Sequence, residues 1–328
     1  MSVSRRSFLA SAAAVGASAR GTAMADDAAW PSRVVRIVCP FAPGASHDVL
    51  TRLVAEEFRS RLGQAFIVEN VTGMGGSIGM AAAARAAPDG YTIGSGTVGT
   101  QTINQFLYKS MSYDPERDFE PVSLFWEATN CLFVSAEKNP ARTLDEFIAW
   151  AKAQPRGVTY GSSGLGTTPH LSGELFRLRT GINAIHVAYR DAGQRLLNLR
   201  TGALDFAIDS IPNYGPLIQE GTVRGLAVTS PKRWPATPDV PTMAEAGMAN
   251  FEVMSWGALV VPARTPPEIT AKLSRTVQDI AADPAFQKRY STIGALAVSS
   301  TPEATRSYMA RERTMWAGVI KDSGTRIE

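Results

Sequence analysis

Residues 34–50 read "VVRIVCPFAPGASHDVL". Val34 to Cys39 form an apolar run of strand character, and from about Asp48 to Leu62 the pattern turns helical. Leu50, Leu53, Val54 and Phe58 then fall on one face, with Gly63 as the stop. Between strand and helix lies "FAPGASHD" (41–48), where Pro43 and Gly44 bend the chain away and Ser46 is placed to cap the helix, with Asp48 in its first turn. Such a loop exposes backbone N–H groups at a helix start. Nothing larger than a methyl group stands at Gly44 or Ala45 to keep a carboxylate or phosphate away.

A second copy of this handover lies at 158–180, "VTYGSSGLGTTPHLSGELFRLRT". The strand runs into a Gly/Ser loop, with Thr168 as the expected N-cap, Pro169 at the first helical position and Gly181 as the stop. Either loop alone reads as well as a plain strand-to-helix turn; two of them suggest a pincer. A third stretch, "GSGTVG" (94–99), matches the glycine spacing of a dinucleotide loop, but Asp114 and Glu116 sit in the turn-like "YDPERD", not at the end of a following strand. Thr97 and Thr100 are expected instead to add hydroxyls to the same cleft.

Around these loops strands and amphipathic helices alternate, which predicts an α/β architecture with largely parallel sheets. A second series begins at "CLFVS" (131–135), and the proline-rich "PKRWPATPDVPTMAEAG" (231–247) reads as a crossing segment before "WGALVVP" (256–262). The expected organisation is an export signal over 1–25, a first domain from 26–125 plus 236–328, and a second domain over 126–235.

Catalytic patterns are weak. "YGSSGLG" resembles a nucleophile elbow, yet Leu165 stands where G-x-S-x-G needs its last glycine, and His170 has no recognisable acid to orient it. A hydrolase using Ser163 stays as an alternative. His186, within "AIHVAY", is read as a satisfied core histidine. Two cysteines and three scattered histidines show no metal-ligand spacing, and Cys39 and Cys131 are expected to be separate buried thiols.

The first 25 residues combine Arg5 and Arg6, an alanine-rich apolar stretch, Arg20 and the small-residue site Ala23-Met24-Ala25, the pattern of a cleaved export signal, read as a twin-arginine one with an ordinary secretory signal as the alternative. Of the 33 lysines and arginines only Arg5, Arg6 and Arg20 lie there, with no acid, so 30 basic residues face 30 acidic ones in the rest of the chain. That balance gives no electrostatic reason to expect nucleic acid or an anionic membrane surface as partner.

Taken in order, "PSRVVRIVCPFAPGASHDVLTRLVAEEFRSRLGQAFIVEN", "TGMGGSIG", "AAPDGYT", "YGSSGLGTTPHLSGELF", "HVAYR", "GLAVTSPKRWPATPDVPTMAEAG" and "WGALVVPARTP" resemble the Bug family, periplasmic substrate-binding proteins of tripartite tricarboxylate transporters. The resemblance covers essentially all of the chain after residue 25. It implies a two-domain, type II-like periplasmic-binding-protein fold with the ligand cleft between domains, which captures a small carboxylate without catalysis or cofactor. It also implies delivery to the membrane subunits of such a transporter, with the receptor a monomer in the periplasm; a ligand-presenting module for a sensor is the other reading. The family's carboxylate contacts carry over to Phe41, Ala42, Gly44, Ala45, Ser46, His47 and Asp48 on one jaw. On the other they carry over to Ser162, Ser163, Gly164, Gly166, Thr167 and Thr168, and Asp209 completes the expected set. Ala45, Ser46, His47 and Asp191 depart from the family's usual residues, so the ligand is not copied from a relative. At His47 a bound carboxylate is expected to favour the imidazolium, strengthening binding as pH falls through the range 6–8.

Overall fold

The computed structural model describes residues 30–189 and 191–327; the expected export signal lies outside the described residues. The strands are β1 (Val35–Cys39), β2 (Phe66–Asn70), β3 (Thr92–Thr97), β4 (Phe119–Ser135), β5 (Val158–Ser162), β6 (Ala184–Ala188), β7 (Ala207–Ser210), β8 (Val223–Val228), β9 (Met254–Pro262) and β10 (Leu296–Ala297). The helices are α1 (Ser46–Leu62), α2 (Ser77–Ala84), α3 (Asn104–Leu107), α4 (Leu144–Lys152), α5 (Thr168–Thr180), α6 (Ala192–Thr201), α7 (Gly215–Gln219), α8 (Pro267–Ala281), α9 (Pro284–Ser291) and α10 (Pro302–Ser323).

The first domain is built on the sheet order β10-β4-β9-β3-β1-β2. The inner face of α1, with Leu50, Val54 and Phe58, shares one core with Val35 and Ile37 of β1 and with Phe66 of β2. Burial of each such side chain is worth about 1.5–3 kcal/mol, enough to hold a helix that would be marginal alone. In the second domain Tyr160, Phe147, Phe176 and Phe206 pack as an aromatic cluster beneath β5 and α5.

The expectation of largely parallel sheets is corrected. Among the described strand pairs β1–β2, β1–β3 and β5–β6 run parallel, whereas β4 is antiparallel to β7, β8, β9 and β10. The reason is β9, which lies between β3 and β4 and runs antiparallel to both, so that the 17-residue β4 points the same way as β3 but meets only antiparallel neighbours. Its first part pairs with β9 as far as Thr129–Met254, and from Asn130–Ser210 onward it pairs with β7 and β8. Residue 125, the expected end of the first domain, therefore lies inside a continuous strand, and the change of partner comes between Thr129 and Asn130. Cys39 and Cys131 are buried free thiols, and burial pushes both up in pKa.

Candidate functional site

A cavity of about 380 Å³ lies between the two domains. The first turns of α1 and α5 both reach it, through Ser46 and His47 on one side and Thr167, Thr168 and Pro169 on the other. Leu107 of α3 abuts Gly166 so closely that a Cβ on the glycine would come within 2.3 Å of it, so the first domain touches the second jaw. Among the described residues no lysine or arginine lines the space, whose walls are largely apolar, with Leu50, Tyr108, Trp126, Leu165 and Trp256 among them. An anion here would be held by neutral donors.

The first jaw is braced from outside. Gly44, at φ +82°, turns its N–H onto Asp48 Oδ2 at 2.9 Å. The Asp48 carboxylate also accepts from Asn70 Nδ2 at 2.7 Å and from Arg52, whose guanidinium touches both oxygens. Asn70 ties in the loop's start by donating to the Phe41 carbonyl at 2.8 Å. Burial alone would raise the Asp48 carboxyl, but the bonds from Arg52, Asn70 and Gly44 outweigh it and hold the pKa below its usual range. Ser46 is not the N-cap expected of it: it is the first helical residue, Ala45 stands at the cap position, and no side chain caps α1. The helix's first N–H groups thus have no side-chain partner.

His47 is enclosed by Phe41, Phe125 and Trp126 and is 7% exposed. Trp126 Nε1–H donates to its Nδ1 at 3.1 Å, which assigns the proton to Nε2; that nitrogen donates to the Ser95 carbonyl at 2.9 Å. A second proton on Nδ1 would face the indole N–H. Burial lowers the imidazole pKa to about 4, against the smaller opposing effects of Ser95 and Asp48. The expectation of an imidazolium titrating over pH 6–8 is overturned: His47 lines the cavity as a neutral ring with both nitrogens engaged. Trp126 can take this position because Gly257 lies beneath it; a Cβ there would come within 1.9 Å of the indole nitrogen.

The second jaw is braced from beneath. Ser162 Oγ accepts from the Gly164 N–H at 3.0 Å and bonds His186 Nε2 at 2.6 Å, while His186 lies 4.1 Å from His170 between ring centroids. His170 Nδ1 accepts from the Gly166 N–H at 3.0 Å, and burial, reinforced by His186, lowers its pKa to about 4. Thr167, not Thr168, caps α5: it sits in extended backbone and its hydroxyl accepts from the His170 N–H. His186 is satisfied but only half buried, because β6 pairs with β5 at the margin of a two-stranded sheet. No hydrogen bond joins either histidine to Ser163 among the described contacts, and His186 engages Ser162 instead.

Of the residues expected at the site, Phe41, Ala45, Ser46, His47 and Thr97 line the cavity from the first domain, and Ser163, Gly166, Thr167, Thr168 and Asp209 from the second. The others shape the jaws without lining it. The Ala42 carbonyl accepts from Ala45 N–H, Gly44 bonds Asp48, Ser162 bonds Gly164, and the Thr100 hydroxyl is taken up by the Thr97 backbone. Asp209 pairs with Arg195 at 2.7 Å, both buried. Sequence reasoning missed Trp126, Trp256, Ser210, Ser255 and Asn130, because β4 was read only from Cys131 and β9 only from Trp256, and the ends of β7 and β9 were not placed at the cleft; a lone Asn just before Cys131 was the available signal.

The profile of the tripartite tricarboxylate transporter family receptors matches residues 50–325. Protein BugT of Bordetella pertussis is 34% identical over 300 residues, 91% of this chain and 92% of that protein. The chain belongs to the tripartite tricarboxylate transporter receptor family. Two solved structures extend the likeness to the whole receptor fold. An R. palustris protein with adipate is 36% identical, with a TM-score of 0.78 over 90% of this chain and 99% of that one. MatC from Rhodopseudomonas palustris with bound malate is 31% identical, with a TM-score of 0.73 over 88% and 99%. The expected two-domain α/β periplasmic-binding architecture is the one these receptors share, and the Bug resemblance is borne out. Among the described residues no helix is long and apolar enough to cross a membrane.

Proposed function

We propose that this receptor closes its two domains on a small carboxylate and presents it, without chemical change, to the membrane subunits of a tripartite tricarboxylate transporter. The observation that carries the reading is the cavity between the jaws, where an uncapped helix start meets the hydroxyls of Ser163 and Thr168 and, among the described residues, no lysine or arginine intrudes. Two relatives solved with adipate and malate support the same chemistry. The contacts assigned to the ligand are those of the expected residues that line the cavity; Ala42, Gly44, Asp48, Thr100, Ser162 and Gly164 act by holding the loops. The domain division is drawn within β4 at Thr129–Asn130 and in the return segment between β8 and β9. Export through the twin-arginine route, with removal of residues 1–25, and a monomeric state complete the proposal.

The test is a thermal-shift screen of purified protein with mono-, di- and tricarboxylates, neutral sugars and cations. A ligand that binds only the folded form adds about 2.7 kcal/mol at a hundred times its Kd. A shift confined to carboxylates is expected. Shifts from sugars or cations with none from any carboxylate would overturn the reading.

A further inference from the structure

Asn130 stands at the residue where β4 changes partners, pairing with Ser210 of β7 just after Thr129 has paired with Met254 of β9. Its backbone is fixed by Thr229, whose hydroxyl accepts from the Asn130 N–H at 3.1 Å and whose own N–H donates to the Asn130 carbonyl at 2.9 Å. Thr229 Oγ1 in turn donates to the Val253 carbonyl at 2.5 Å, so the residue is pinned where the two domains join. The Asn130 side chain is 0% exposed and lines the cavity, yet among the described residues neither Oδ1 nor Nδ2 meets a hydrogen-bond partner. A buried carboxamide left so is costly and needs a partner from outside the chain.

We propose that Asn130 is the specificity-determining contact of this receptor, and that it selects a carboxylate bearing a hydroxyl on the neighbouring carbon. This rests on the carboxylate-binding reading above and adds the ligand class. A primary amide presents an acceptor and a donor side by side. A plain dicarboxylate offers only acceptors, which engage Nδ2 and leave Oδ1 unpaired. A 2-hydroxy acid offers a hydroxyl donor beside a carboxylate acceptor and satisfies both. An amino acid fits less well, because its ammonium needs an anion and the one carboxylate among the described lining residues, Asp209, is already paired with Arg195.

The experiment is calorimetric titration of the purified receptor with two matched pairs, succinate against malate and adipate against 2-hydroxyadipate. The hydroxylated member is expected to bind about ten- to a hundredfold more tightly in the wild type. In Asn130→Ala and Asn130→Leu that advantage disappears, because the hydroxylated acid loses both of its bonds to the amide and the unsubstituted acid only its bond to Nδ2; melting temperatures of the free proteins check that both variants fold. Carboxylate binding with no preference for the hydroxyl in the wild type overturns this inference alone, and needs no variant. Equal loss of both acids in the variants, or a preference that survives them, overturns it too. If no carboxylate binds the wild type, the proposed function falls with it.

Discussion

The loop after β1 and the loop after β5 each leave a five-residue strand, each turn through glycine, and each end in a helix whose first turn reaches the cavity. They are stabilised by different means. The first is gripped by a partly solvated ionic cluster, Asp48 with Arg52 and Asn70, and its helix start carries no cap. The second rests on the Ser162–His186–His170 stack, of which Ser162 and His170 are buried, and its helix is capped by Thr167. The difference teaches that one sequence signature leaves different amounts of ligand-binding capacity. On the first jaw backbone N–H groups remain without a side-chain partner, whereas on the second the helix cap and the loop's own glycine N–H groups are engaged and hydroxyls are what remain.

The largest expected effect breaks the first jaw. Asp48→Ala removes the acceptor for the Gly44 N–H, Asn70 and Arg52 together, at a site where the carboxylate is 1% exposed. Because Arg52 is itself nearly half exposed, water takes over part of its pairing, and the cost is expected at about 3 kcal/mol. Urea unfolding measures it, and carboxylate affinity should fall with the loop's geometry. A variant as stable as wild type would mean that Gly44 and the turn hold the jaw unaided.

How much of this was legible follows from which interactions are local. The Pro/Gly loops, the helix stops at Gly63 and Gly181 and the strand-helix alternation depend on residues close in sequence, so the jaws and the fold class were readable. The direction of β4 was not. Its course is set by pairing with β9, more than a hundred residues on, and Pro121, Ser123, Glu127 and Asn130 with two register shifts blur its pattern. The cap was misplaced by one residue because Thr167 and Thr168 are chemically equal, and only backbone geometry separates them. His47 was misread for a similar reason: the sequence puts it at a helix start, but the partners that neutralise it, Ser95 and Trp126, come from β3 and β4.

A second effect sharpens the comparison through pH. His47 is held near pKa 4 in the folded protein against 6.5 for an ordinary histidine, so the unfolded chain binds more protons between those values. Stability contributed by the neutral ring is full above about pH 6.5 and is lost as pH falls toward 4, a change of about 3 kcal/mol. His170 loses stability over the same window from the second jaw, and the depressed Asp48 carboxyl adds its loss only below the ordinary carboxylate range. Between pH 6.5 and 4, wild type should therefore lose about 3 kcal/mol more than His47→Gln in denaturant titrations. Parallel curves would show that the buried ring is not what acid attacks. Affinity for a carboxylate is expected to stay flat over pH 6–8.

The smallest effect separates cap from contact on the two jaws. Thr167→Ala removes the hydroxyl that accepts from the His170 N–H and donates to the Gly164 carbonyl at 2.7 Å, and should cost about 1 kcal/mol of stability. Thr168→Ala, one residue inside the helix, and Ser46→Ala, at the start of a helix with no side-chain cap, should cost almost none. Ser163 lines the cavity without a cap role, so Ser163→Ala should leave stability unchanged and weaken carboxylate binding by about tenfold, the scale of one hydrogen bond to a charged group. Paired unfolding and binding measurements on the four variants decide it. A loss of stability at Ser46 as large as that at Thr167 would mean that the first helix does use a side-chain cap in solution, and that the backbone N–H groups assigned to the ligand are already engaged.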